Sequence, residues 1–176
     1  MTTHYGAPLR LYAQLNKLTS SVKHAHHVTQ HLCLGEAWYR FPSHYFVPEH
    51  LDVRWIRSSY GQSLPMYFGP YPRGITEMPN AELGFNQYNR PPPDTAFASV
   101  ETGCDYVIVA DDHEKQRVSK ALGARHKTLR SMLSLPILDQ TRTTHPLSRI
   151  FGLPRRRRVW SDHCLYQVIS RDEDDA

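Results

Sequence analysis

A chain of 176 residues, 40% of them apolar and 22% charged, is long enough for one domain with its own hydrophobic core. Nothing in it approaches the roughly 18–20 consecutive apolar residues that cross a bilayer, and residues 1–6 lack the basic and apolar regions of a secretory signal, so composition alone predicts a soluble, cytosolic protein. The formal charge of +4 is carried by Arg155, Arg156, Arg157 and Arg158 and is followed by an acidic tail, Asp172 to Asp175; such runs read first as solvated faces and second as phosphate contacts.

In chain order, Leu9, Leu11, Tyr12, Leu15 and Leu18 recur at spacings of three and four, which predicts an amphipathic helix over residues 8–18 with Pro8 tolerated in its first turn. A polar, histidine-rich stretch at 20–30 reads as a linker. Its His27 and His31 have a metal-compatible spacing but lack the glutamate of a metalloprotease motif, so no metal is expected. The run 31–35, ending in Gly35, reads as a buried strand. Residues 38–48 are dense in aromatics and bounded by Pro42 and Pro48, with Ser43 placed to cap a short helical turn. Strict alternation over 52–57 predicts a half-exposed strand, parallel to the first through the short helix between them.

Residues 58–100 carry seven prolines among scattered aromatics and read as one long loop. The β-branched run 105–110 is a second core strand, closed by Asp111 and Asp112, and a polar helix is expected over 114–122. An apolar patch at 129–138 is broken by Pro136; a short helix at 149–153, the arginine run and a last strand at 164–169 complete the chain. These elements predict an α/β fold: a small four-stranded, largely parallel sheet with short helices and a long Pro/aromatic-rich loop. The expected divisions are a helix and linker at 1–30, the α/β domain at 31–171 and the tail at 172–176.

Chemistry-bearing patterns are sparse. Cys33, Cys104 and Cys164 form no C-x-x-C pair; buried free thiols are the default, and in an oxidising compartment one pair, which the sequence does not choose, would bridge. Asp111 and Asp112 stand where open α/β sheets hold ligands and resemble the Asp-x-Asp element of sugar-nucleotide transferases. No residue separates them and no glycine-rich loop accompanies them, so capping of the following helix is the expected role. There is no G-x-S-x-G elbow, and no asparagine has a Ser or Thr two positions on.

The block Gly35-x-x-Trp38-Tyr39-Arg40-Phe41-Pro42-Ser43, continuing to His44-Tyr45-Phe46-Val47-Pro48, resembles the start of the lumenal C-terminal domain of the dolichyl-phosphate-mannose-dependent α-1,2-mannosyltransferases of lipid-linked oligosaccharide synthesis. Their glycosyltransferase family also contains the GPI mannosyltransferases. The resemblance extends in order through residues 5–12, Tyr60-Gly61-Gln62-Ser63-Leu64-Pro65, Asn86-Gln87, the strand led by Cys104, and Pro136-Ile137-Leu138-Asp139-x-Thr141-Arg142. It implies that residues 1–30 follow a last membrane helix and that 31–171 form a lumenal domain of an enzyme of the endoplasmic reticulum membrane. It implies no cofactor. Its partners would be dolichyl-phosphate-mannose and the lipid-linked oligosaccharide, reached through a membrane part with its portal, and not nucleic acid.

In that family the acidic catalytic residue lies in the first lumenal loop, which has no counterpart here; no catalytic residue is assigned, and the chain alone is expected to be inactive. The arginine run has no counterpart in the family either, and acids stand where some relatives carry a basic retention tail. Sugar recognition favours aromatic faces beside planar polar groups, so Glu36, Trp38, Tyr39, Arg40 and Tyr45 are the candidate substrate-binding residues, with a scaffold role for Trp38 and Phe41 as the competing reading. A glycan- or partner-binding module of the same fold, or a basic nucleic-acid-binding protein, are the alternative functions.

Overall fold

In the computed structural model, which describes residues 6–20, 29–57, 97–139, 142–144 and 158–171, the apolar run around Cys33 forms strand β1 (Gln30–Leu34). It pairs in parallel with β2 (Leu51–Trp55) on one side and with β3 (Tyr106–Val109) on the other. β3 then pairs antiparallel with β5 (Trp160–Ser170), and β5 with β4 (Lys127–Leu138), giving the order β2-β1-β3-β5-β4. The α/β class and the parallel pairing of the first two strands stand as expected. The expected four-stranded, largely parallel sheet is instead five-stranded and mixed, because β5 runs antiparallel to both its neighbours and the apolar patch at 129–138 is itself a strand.

Two properties of β4 account for the difference. It lies at the sheet edge, the position at which a sheet tolerates a proline such as Pro136. Its alternation is also interrupted by a bulge between Ser131 and Leu133, so that Leu129 packs on one face of the sheet and Leu133 and Leu135 on the other.

The two faces are covered by different helices. Helix α1 (Gly6–Thr19) lays Leu11, Tyr12 and Leu15 on the core that holds Leu32, Leu34, Val53, Trp55, Ile108 and Leu165. Leu11 and Leu15 are fully buried, each contributing about 1.5–3 kcal/mol by leaving water. On the opposite face, Val118 and Leu122 of α3 (Asp112–Gly123) pack on Cys33, Val107, Val109 and Cys164. A single-turn helix, α2 (Val100–Gly103), precedes β3.

Cys33 and Cys104 form a disulfide across 71 residues, with Cα atoms 5.7 Å apart, and Cys164 is buried and free. The free-thiol default thus holds for Cys164 alone. The pair is selected because β1 and β3 are neighbours: Cys33 is opposite Val107, and Cys104 stands just before β3, three residues ahead of Val107.

Among the described residues no helix is long and apolar enough to cross a membrane. The histidine-rich stretch up to residue 28, the loop at 58–96, the Tyr60–Pro65 and Asn86-Gln87 matches, the helix at 149–153, Arg155 to Arg157 and the acidic tail lie outside the described residues.

Candidate functional site

The parallel half of the sheet contains a topological switch. After β1 the chain turns through two 3-10 helices, Glu36–Arg40 and His44–Phe46, whose Ala37, Trp38 and Phe41 pack with the α1 face. After β3 it enters α3 on the other face. Neighbouring parallel strands whose exits diverge leave a crevice at their carboxyl ends, the usual ligand position in open α/β sheets.

Here that crevice is filled by the chain's own acid. Glu114, fully buried, accepts one hydrogen bond from the Glu36 backbone N–H (2.6 Å) and one from the Ala110 backbone N–H (2.7 Å), clasping the ends of β1 and β3. Arg117 sits 3.8 Å from Glu114 and 3.7 Å from the Glu36 carboxylate, and it also donates to the Arg57 carbonyl beyond β2. Gly35 makes the clasp possible: a Cβ there would stand 2.2 Å from Glu114 Oε1 and 3.0 Å from Ile56. Burial drives the Glu114 carboxyl up to about 7 against the two N–H bonds and Arg117, which favour its ionised form.

Asp111 is the N-cap of α3, its side chain accepting from the Glu114 N–H at 2.9 Å. The capping role expected for the aspartate pair is therefore its structural role. Asp112 is the exposed first residue of the helix. Glu114 escaped the sequence reading, although Asp111-x-x-Glu114 has capping-box spacing. In a capping box the glutamate returns to the N-cap N–H; here it reaches one residue further back and also across to β1.

The sequence candidates fall in different places. Glu36 is buried in the crevice beside Arg117. Trp38 packs on the core with Phe41, whose ring meets Tyr12 at 5.5 Å and Trp55 at 5.7 Å, both edge to face. Tyr39 is exposed, with the Arg40 guanidinium 4.9 Å from its ring centroid. Arg40 faces inward as well, its charge acting on His163 of β5. Burial first, and Arg40 second, hold that buried imidazole down at about 4, so it is neutral at physiological pH. Tyr45 stands apart, 88% exposed on a groove between α1 and the segment leading into β2.

The block 33–48 therefore contributes both to the buried clasp, through Gly35 and the Glu36 N–H, and to an exposed aromatic ridge. Of the basic run, only Arg158 is among the described residues.

Comparison with known proteins bears out that resemblance. The chain is 26% identical over 173 residues to the α-1,2-mannosyltransferase alg9 of Schizosaccharomyces pombe, a match covering 94% of this chain and 28% of the relative. It is 26% identical over 152 residues to the Drosophila melanogaster α-1,2-mannosyltransferase Alg9 (86% and 23%) and 25% identical over 169 residues to the human one (94% and 26%). The chain thus spans about a quarter of the length of the curated relatives it matches. No family model and no solved structure matches.

Proposed function

We propose that this chain is the lumenal C-terminal domain of an endoplasmic-reticulum α-1,2-mannosyltransferase that transfers mannose from dolichyl-phosphate-mannose to the lipid-linked oligosaccharide. The observation that carries the reading is the collinear similarity to α-1,2-mannosyltransferases over 94% of the chain against only 28% of the relative. The disulfide supports it independently, since disulfides persist in oxidising compartments such as the endoplasmic-reticulum lumen and are rare in the cytosol.

In this role the domain holds the acceptor, and catalysis belongs to a membrane part. The crevice where an α/β enzyme would keep its ligand is packed with Glu114 and Arg117, which fits a binding rather than a reacting domain. Glu36 and Arg40 organise the strand-end turn, while Tyr39 and Tyr45 face outward toward acceptor sugars.

The test is a graft. The chain replaces the corresponding C-terminal part of the S. pombe relative in cells lacking that enzyme, and the lipid-linked oligosaccharides are profiled. Restored extension is the expected result, with no transfer by the purified chain alone. A graft that reaches the membrane at normal levels yet leaves the oligosaccharide truncated would refute the reading.

A further inference from the structure

The groove beside Tyr45 has features that neither the core nor the crevice requires. It lies between the second half of α1 and residues 45–50, with a volume of about 560 Å³, within the size range of small-ligand sites. One wall carries Tyr45 and Phe46, 88% and 40% exposed, with ring centroids 5.5 Å apart and planes at 87°. The other wall presents the Asn16 amide, and the end is formed by Glu49 and His50.

These walls are held in place. Ser43 Oγ accepts from the Tyr45 N–H at 3.1 Å, and the Phe46 and Val47 N–H groups donate to the Ser43 and His44 carbonyls. Pro42 and Pro48 flank the turn. At the far end Thr19 Oγ1 gives its only proton to the Leu15 carbonyl at 2.8 Å, so it accepts from His50 Nε2–H at 2.9 Å. A ligand would therefore meet a preformed surface and lose little affinity to ordering it.

The chemistry of the lining selects the ligand class. Two aromatic faces at right angles suit the apolar C–H faces of a pyranose, and amide, carboxylate and imidazole groups suit its hydroxyls. Among the described residues no lysine or arginine lines the groove, and Glu49 adds a negative charge, so this lining disfavours phosphates and anionic headgroups.

We propose that the groove formed by Asn16, Tyr45, Phe46, Glu49 and His50 is a subsite for neutral mannose residues of the acceptor glycan. This rests on the acceptor-holding role and names where one arm of the glycan would lie. The experiment is an amide NMR titration of the whole chain with α-1,2-mannobiose, with maltose as control. Shifts are expected at Asn16, Tyr45, Phe46 and His50, with millimolar affinity that Tyr45→Ala weakens by about tenfold while leaving the unfolding curve unchanged. Asn16→Ala should weaken it too.

No groove shifts up to about 50 mM disaccharide, or an equal response to maltose, would overturn the assignment. So would co-sedimentation with phosphatidylcholine vesicles that Tyr45→Ala abolishes, which would make the aromatic ridge a membrane contact. The graft separates the two levels. Normal extension by both the parent graft and its Tyr45→Ala form would remove the subsite and leave the lumenal-domain reading standing, whereas failure of the parent graft strikes the reading itself.

Discussion

Replacing Glu114 by glutamine keeps the shape of the clasp and changes only its hydrogen-bonding and charge. Both carboxylate oxygens accept from backbone N–H groups, those of Glu36 and Ala110. An amide offers one acceptor and one NH2, so one buried N–H would face a donor, at a cost of about 1–3 kcal/mol. Set against this is the cost of the native charge. With the carboxyl raised from 4.5 to about 7, the unfolded chain gives up its proton first as pH rises, and the folded state binds more protons throughout that window. Stability from this group is therefore full below 4.5 and is lost as pH rises through about 7. The loss reaches about 3 kcal/mol at ~1.36 kcal/mol per pH unit.

Glutamine does not titrate, so Glu114→Gln should cost most at low pH, with the deficit shrinking or reversing by about pH 8. Urea unfolding followed by tryptophan fluorescence, in steps from about pH 5 to about pH 8, reads this directly. A deficit that grows with pH would refute the reasoning. It would mean that the two N–H bonds and Arg117 outweigh burial and hold Glu114 ionised.

His163 acts in the opposite sense. Its folded value of about 4 lies below 6.5, so its contribution is present above 6.5 and lost as pH falls through 4; His163→Leu should remove that slope and leave stability falling with rising pH in the urea series. Gly35→Ala places a Cβ on Glu114 and Ile56 together and should cost about 3 kcal/mol by the same assay, with Glu114→Gln adding less than its full cost on top because the clasp is already displaced. Cys104→Ala should lower stability by about 2–5 kcal/mol, matching reduced wild-type protein. Alkylation of the denatured, unreduced chain should label Cys164 alone, and labelling of all three cysteines would show that the bridge is absent.

The strands that the sequence made legible are those whose own residues record their burial. Leu32, Cys33 and Leu34 and the run 106–109 are buried throughout and read as apolar strands, and β2 alternates because one face is half exposed. β4 was illegible for a physical reason. As an edge strand it keeps most of its residues partly exposed, tolerates a proline and carries a bulge that resets its alternation, so its periodicity matches neither a strand nor a helix. The cysteine pairing was open for a related reason: which thiols meet depends on strand order, and order is a long-range property that spacing does not encode.

Glu114 shows the same limit at the site, and it bears on what the domain can do. Local pattern placed it on a polar helix, a position where a glutamate is ordinarily solvated. Its partners are Ala110, four residues back, and Glu36, 78 residues away, and only the adjacency of β1 and β3 brings them together. Once there it takes up the backbone donors that a bound anion would otherwise meet at the strand ends, and Arg117 is engaged by the same acids. A phosphate entering that crevice would have to displace a buried carboxyl from two N–H bonds, each worth about 1.5–3 kcal/mol when the acceptor is charged. The interior of the sheet is thus given over to holding β1 and β3 in register. Among the described residues, the surfaces proposed for recognition are those the turn after β1 turns outward, Tyr39 and the groove of Tyr45 and Phe46, and a substrate meeting them would be held by stacking and hydroxyl contacts rather than by its charge.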